Sequence, residues 1–216
     1  MRFSHAPEIW ADFPTLAAGV VHARYTSVAD RVDFYTARAF QGPEAELPEI
    51  QAWRRAFSQM GLKPTQYRCA SESLLRRLRK EGVLPRVHPL VDLCNAISVA
   101  FAIPVAAIDV SRVAGSLEVR YAKGDETYQT FGGSLENPAP GEVIFADEKG
   151  QAHARRWTNR QSGLSAVSGS TSEVLIIAEG LHAGAASDVR RLVDTVVSEL
   201  GGTATVLSAD APAFDW

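Results

Sequence analysis

The segment that most constrains this chain is residues 89–102, PLVDLCNAISVAFA, which runs into Pro104 and then the apolar stretch 105–110. Apolar side chains recur almost all round a helical period here, and a helix without a broad polar face must be buried between layers. Pro89 suits the first helical turn, where its missing N–H costs nothing, and Pro104 prevents continuation. A buried helix passing directly into a strand is therefore expected, with Asp92, Asn95 and Ser98 as its polar residues. Asp92 and Asn95 lie three apart and so share one face.

The rest of the chain supplies partners for that helix. Residues 18–25 read as a strand and 27–40 as a helix with Ser27 as N-cap, ended by Gly42-Pro43. Pro48 starts a helix over 48–60 that buries Ile50, Trp53, Phe57 and Met60, and Gly61 suits its left-handed end. The spacing of Leu74, Leu75 and Leu78 predicts a third helix over 70–81, its arginines on the other face. After Pro104, strand signals fall at 105–110, 117–121, 127–131, 142–146, 152–157 and 174–178, with a hairpin turn at 147–150. A last helix over 187–200 presents Val189, Leu192, Val193, Val196 and Val197, a strand follows at 203–207, and 209–216 reads as a loose tail. Helices preceding consecutive, tightly connected strands favour one α+β domain over 1–216, with mixed, largely antiparallel sheet layers packed against helices.

Composition narrows the function. A hydrophobic fraction of 46% and a charged fraction of 22% are ordinary for a globular chain of 216 residues. No apolar run approaches the ~20 residues of a membrane helix, and the N-terminus lacks a signal-peptide core, so a cytoplasmic location without membrane partners is expected. Cys69 and Cys94 have neither metal-ligand nor disulfide-framework spacing, and no metal or other cofactor is expected. A net charge of −3 argues against a surface shaped throughout for polyanions, DNA included, leaving local clusters. One is Arg76, Arg77, Arg79 and Lys80 at a helix end, where cations also favour the dipole. The other is Arg155, Arg156 and Arg160 around Trp157, a guanidinium and aromatic mixture suited to unpaired nucleotides. In a strand Arg155 and Arg156 point to opposite faces, so one at most joins a given site.

Leu90-Val91-Asp92-Leu93-Cys94-Asn95 and Pro104-Val105-Ala106-Ala107-Ile108-Asp109 fall where the editing domain of the phenylalanyl-tRNA synthetase beta subunit carries N-x-V-V-D-V-T-N-Y and P-M-H-A-F-D. The chain resembles that domain. Gly61-Leu62-Lys63-Pro64, Tyr67-Arg68, Ser71-Glu72 and Leu75-Arg76-Arg77 are similar to the leader segment of small free-standing bacterial relatives. Residues 141–147, Arg155-Arg156-Trp157, Arg160 and Glu179-Gly180-Leu181 extend the likeness over about residues 60–182.

The resemblance implies removal of a wrong amino acid from mischarged tRNA by water-mediated ester hydrolysis, with the tRNA acceptor end or an aminoacyl small molecule as partner. An aminoacyl ester is already activated, so a positioned water, a proton acceptor and oxyanion donors suffice. By resemblance the pocket forms around Cys94, Asn95, Ala106 and Glu179, with Asp92, Tyr67 and Arg68 as further substrate contacts and Arg156, Arg160, Arg76 and Arg77 toward RNA. This chain departs from the pattern at two points. Cys94 stands in place of the pocket threonine and Ala106 in place of the pocket histidine, and alanine can neither relay a proton nor orient water.

Glu179 and His88 are the remaining candidates for proton transfer. Glu179 ends the apolar run 174–178, which delivers one carboxylate to a sheet end; the alternative is an ordinary strand-end acid. His88 precedes the buried helix, where it acts either on the pocket or as a helix cap. Asp92 and Asn95 read equally as a structural network, and Cys94 as core. Ser168-Gly169-Ser170 lacks the nucleophile elbow, and 131–134 lacks the lysine and helix of a phosphate loop. The alternative to a hydrolase is a binding module for aminoacyl-tRNA, an amino acid or a nucleoside, which kept the pocket and lost the histidine.

Overall fold

The structure, a computed structural model, describes all 216 residues. In chain order it contains β1 (Arg2–His5), α1 (Pro7–Asp12), β2 (Ala17–Arg24), α2 (Val32–Thr36), α3 (Pro48–Gln59), α4 (Ala70–Glu81), α5 (Pro89–Phe101) and β3 (Val105–Asp109). There follow β4 (Leu117–Tyr121), β5 (Thr127–Gln129), β6 (Leu135–Glu136), β7 (Val143–Asp147), β8 (Gln151–Arg155) and β9 (Arg160–Gln161). The chain ends with β10 (Glu173–Gly180), α6 (Ala185–Leu200), β11 (Thr203–Leu207) and β12 (Ala213–Asp215).

The strands form two sheets. The smaller has the order β11-β2-β10-β3, antiparallel throughout. The larger runs β12-β1-β4-β7-β8-β5-β6, with β9 against β8. Its β1–β4 and β5–β8 pairs are parallel and its other pairs antiparallel. The fold is thus α+β with mixed, largely antiparallel sheets.

Strand β10 explains its own apolar run, because it is paired on both edges and covered on both faces. On one face α6 lies across it and β2, burying Val189, Leu192, Val193 and Val196. Gly19 of β2 permits that approach: a Cβ there would stand 2.3 Å from Val193 Cγ2 and 2.7 Å from Val189 Cγ1. On the other face, Ile177 and Glu179 look toward the large sheet, where Phe145, Ala154 and Trp157 meet them. The alternation of a strand thus fixes which residues of β10 and of its neighbour β3 face the space between the sheets.

Helix α5 is buried along nearly its whole length, against α2, α4, α6 and β3. Ala102 ends it in a left-handed conformation (φ 55°), and Ser98 Oγ donates to Ile103 O at 2.6 Å, which turns the chain into β3.

Several expectations need correction. Residues 27–31 are not helical; the helix begins only at Val32, where Asp30 Oδ1 accepts from Val32 N (3.2 Å) and from Arg86 (3.0 Å), so Ser27 caps nothing. The strand expected over 152–157 stops at Arg155, because Arg156 and Trp157 adopt positive φ. Residues 209–216 are not a loose tail, since Ala213–Asp215 pairs with β1 and Trp216 N donates to Met1 O at 3.1 Å. No helix is long and apolar enough to cross a membrane.

Candidate functional site

Between the sheets lies a cavity of about 70 Å³ bounded by Val105, Ala106, Phe145, Trp157, Ile177 and Glu179. Glu179 is 2% exposed, and its Oε1 accepts hydrogen bonds from His5 Nε2 at 2.6 Å and from Trp157 Nε1 at 2.9 Å. With the carboxylate as acceptor, the Nε2 position of His5 carries the proton. Both donors converge on one oxygen, and Oε2 has no partner within the chain. The cavity therefore offers one carboxylate oxygen to a water or ligand.

Trp157 reaches Glu179 through an unusual backbone. Arg156 (φ 49°) and Trp157 (φ 55°) are consecutive left-handed residues without glycine, a conformation costing about 1–3 kcal/mol per residue. Neighbouring contacts hold it. Trp157 N donates to Val143 O (2.7 Å), Ala70 N to Thr158 O (2.9 Å), and Asn159 Nδ2 to Arg68 O (2.7 Å). The indole is boxed edge-on by Phe13 and Trp53, with centroids at 4.8 and 5.0 Å. Thr158 also lines the cavity, and its Oγ1 is buried without a hydrogen-bond partner.

A second cavity, about 260 Å³, lies on the other side of β3. Val87, His88, Val91, Cys94, Asn95 and Phe131 line it, together with Ala107, Ala166 and Val167. Val105 and Gln161 line both cavities. Gln161 Nε2 donates to Ala107 O at 2.8 Å, tying β9 to the edge of β3 and making the partition. The expected single pocket is therefore divided: Ala106 and Glu179 face the first cavity, whereas Cys94 and Asn95 face the second.

The other candidates are placed as follows. His88 borders the second cavity and caps α5, its Nδ1 accepting from Leu90 N at 3.3 Å; it is not among the residues around Glu179. Asp92 Oδ1 accepts from Val87 N (2.8 Å) and His88 N (3.3 Å), a structural use of its carboxylate. Burial pushes the Cys94 thiol up to about 12, so it remains a neutral, space-filling group at neutral pH. Arg68 is drawn into an ion pair with the fully buried Glu72 (3.3 Å), which also takes both nitrogens of the Arg54 fork at 3.2 and 2.6 Å.

The two basic clusters separate. Arg160 lines the first cavity and is 44% exposed, and the Arg156 guanidinium sits 4.8 Å over the Tyr67 ring. Arg155 is buried, its fork committed to Glu142 and Glu136. Arg76 pairs with Glu44 and Arg77 with Glu81, each at 2.9 Å. Arg76 lies six positions along α4 from Ala70 on the cavity wall, about 9 Å of helical rise. Elsewhere, Glu49, His182 and Asp188 bring donor atoms within 4.8 Å of one another, the residues that could hold a cation. Arg191, 2.6 Å from Asp188, already supplies positive charge there.

A family model described as the B3/4 domain matches residues 52–194, which include the walls of both cavities from α4 through β10. The chain belongs to the B3/4 domain family. Curated relatives of this B3/4 domain are phenylalanine-tRNA ligase beta subunits. That of Photorhabdus laumondii is 28% identical over 41% of this chain and 11% of its own length. The Coxiella burnetii subunit is 42% identical over 24% and 7%, and that of Shewanella oneidensis 31% over 46% and 12%. The B3/4 chain thus aligns with about a tenth of those subunits. Among solved structures, an N-terminal fragment of the phenylalanyl-tRNA synthetase beta subunit of Pyrococcus horikoshii superposes on 94% of this chain and 49% of its own. Its TM-score is 0.50 at 10% identity, a likeness of fold.

His5 and Thr158 escaped the sequence reading. Nothing local marks His5, which reaches Glu179 only through the pairing of β1 with β4 and β12; Thr158 sits in the turn that strand periodicity overran.

Proposed function

We propose that this B3/4 domain is a cytoplasmic trans-editing hydrolase that binds the aminoacyl end of a mischarged tRNA and cleaves its ester. The observation that carries this reading is the unsatisfied Oε2 of Glu179, in a small apolar cavity whose wall includes Thr158, a residue with a buried, unpartnered hydroxyl. Glu179 Oε2 accepts a proton from a bound water as the water oxygen attacks the ester carbonyl carbon, and Thr158 Oγ–H donates to the oxyanion. The bond from that carbon to the ribose oxygen then breaks, and the proton passes to the departing ribose hydroxyl, releasing free amino acid and tRNA. Fixing water and ester in one small cavity supplies most of the rate, as befits an activated ester. Arg160 at the wall, with Arg156 on Tyr67, supports contact with the phosphate backbone.

The alternative is a binding module without turnover. Ala106 favours it, since no imidazole lines the Glu179 cavity and His5 is committed to holding the carboxylate. Both readings are tested by following the decay of tyrosyl and other noncognate esters on phenylalanine tRNA against the uncatalysed rate. Acceleration that Glu179→Gln abolishes supports the hydrolase. Saturable binding of charged tRNA without acceleration supports the module, and the absence of both acceleration and binding removes the aminoacyl-tRNA reading.

A further inference from the structure

The second cavity has a different chemistry from the first. Its lining contains no Asp, Glu, Lys or Arg, and the Cys94 thiol within it stays neutral. An anion or an ammonium entering it would lose water without gaining a counter-charge, which selects for an uncharged ligand. Two carboxamides face that apolar space. The Asn95 amide makes no hydrogen bond within the chain and is not buried, so its acceptor and both donors are open; Gln161 uses only Nε2, leaving Oε1 unpartnered.

Two of its lining residues are largely exposed: Phe131, 74%, on the Gly132-Gly133 turn between β5 and β6, and Val87, 69%. A phenyl ring held in water beside a slot of valines, with an amide inside, matches a flat ring whose faces are apolar and whose edge carries adjacent donors and acceptors. Nucleobases have this character: they stack on aromatic side chains, and asparagine pairs in two-pronged fashion with adenine N6 and N7.

We propose that the cavity behind β3 is a nucleobase site, with Asn95 reading the base edge and Phe131 stacking on its face, and with adenine as the preferred base. The inference deepens the aminoacyl-tRNA reading and rests on it for the larger molecule. Val105 and Gln161, common to both cavities, would separate base from aminoacyl group. The ribose of the terminal nucleoside would bridge the two, and Arg160, one residue before Gln161 and 3.4 Å from Glu136, lies where its guanidinium could meet the phosphate on the 5′ side.

The test is calorimetric titration of the full chain with the 5′-monophosphates of adenosine, guanosine, cytidine and uridine, and with an RNA hairpin ending in 3′-CCA. A second hairpin carries an abasic 3′ end. Saturable binding of the adenosine nucleotide, tighter than the others, is expected. Asn95→Ala and Phe131→Ser, which alter unbonded or exposed side chains, should each weaken binding at least about fivefold, the low end for one stacked base. Glu179→Gln should leave nucleotide binding unchanged, so a failed hydrolase reading and a failed base site give different results. If only the hairpin binds, and it loses affinity with the abasic end and in both variants, the base is one presented by RNA and the site stands. The proposal is overturned if no nucleotide binds saturably and the hairpin ignores both substitutions, or if nucleotide binding survives both unchanged.

Discussion

Replacing His5 with phenylalanine isolates the contact on which the carboxylate site rests. The new ring occupies nearly the same space, between Phe3 (5.2 Å) and Trp10 (5.0 Å), while the donor to Glu179 disappears. The lost bond is 2.6 Å long between side chains 0% and 2% exposed, so water cannot replace it. A hydrogen bond to a charged group contributes about 1.5–3 kcal/mol, and stripping a partner from a buried ion costs up to about 5. Because Trp157 Nε1 still donates to the same oxygen, the expected loss is about 2–4 kcal/mol. For a chain of this size that lowers the melting temperature by roughly 5–15 °C. Urea unfolding followed by tryptophan fluorescence reads the change, and a double-mutant cycle with Glu179→Gln isolates the pair. A single-variant loss below about 0.5 kcal/mol, or a coupling near zero, would refute the claim that His5 holds Glu179.

Three further outcomes follow from the packing and the buried groups. Gly19→Ala should destabilise the fold by about 1–3 kcal/mol through collision with Val189 and Val193, seen as a lower urea midpoint at unchanged slope. Burial holds His153 below its ordinary value of 6.5 despite its hydrogen bond to Asp147, so the unfolded chain takes up this proton first. Its contribution is therefore complete above about pH 6.5 and is lost as pH falls below it; His153→Gln should flatten unfolding free energy against pH in that window. Cys69 and Cys94, with thiols pushed up by burial to about 11 and 12, should resist a thiol reagent at pH 8 in the folded protein and react only as fast as the chain opens.

What could be read from the sequence follows the range of the interactions. Helices α4 and α5 were legible because their apolar spacing is local: α4 spans the expected 70–81 and closes at Gly82 (φ 76°), and α5 stops short of Pro104, though its left-handed end at Ala102 (φ 55°) left no sign in the sequence. The ends of the chain were not. Strand β1 is four residues long and gains its meaning from partners at 117–119 and 213–215, so neither it, its histidine nor the strand in the tail leaves a periodic trace. Site residues behaved likewise. The place of Glu179 near the end of an apolar strand was legible. That Cys94 and Ala106 part company was not: α5 and β3 are consecutive, but alternate residues of β3 look to opposite faces, with Ala107 toward Cys94 and Ala106 toward Glu179. Trp157 was marked as aromatic surface for nucleotides, yet is fully buried, because two left-handed residues turn its ring inward.

Those two strained residues and the buried trio they complete pose a question of purpose that stability alone can decide. A carboxylate between two sheets carries a large desolvation cost, and well-packed apolar side chains in place of a buried polar pair are often neutral or stabilising. Were Glu179 retained for the fold, its two donors would be best distributed over both oxygens; instead His5 and Trp157 share Oε1, and Oε2 is left to the cavity. The double variant His5→Phe, Glu179→Leu separates the alternatives, after allowing about 1 kcal/mol for the orphaned indole N–H of Trp157. Stability equal to or above that of the parent chain means that the trio is held at a cost for what Oε2 binds. A loss of more than about 3 kcal/mol, beyond that allowance, makes Glu179 a structural acid and withdraws the cavity from any chemistry.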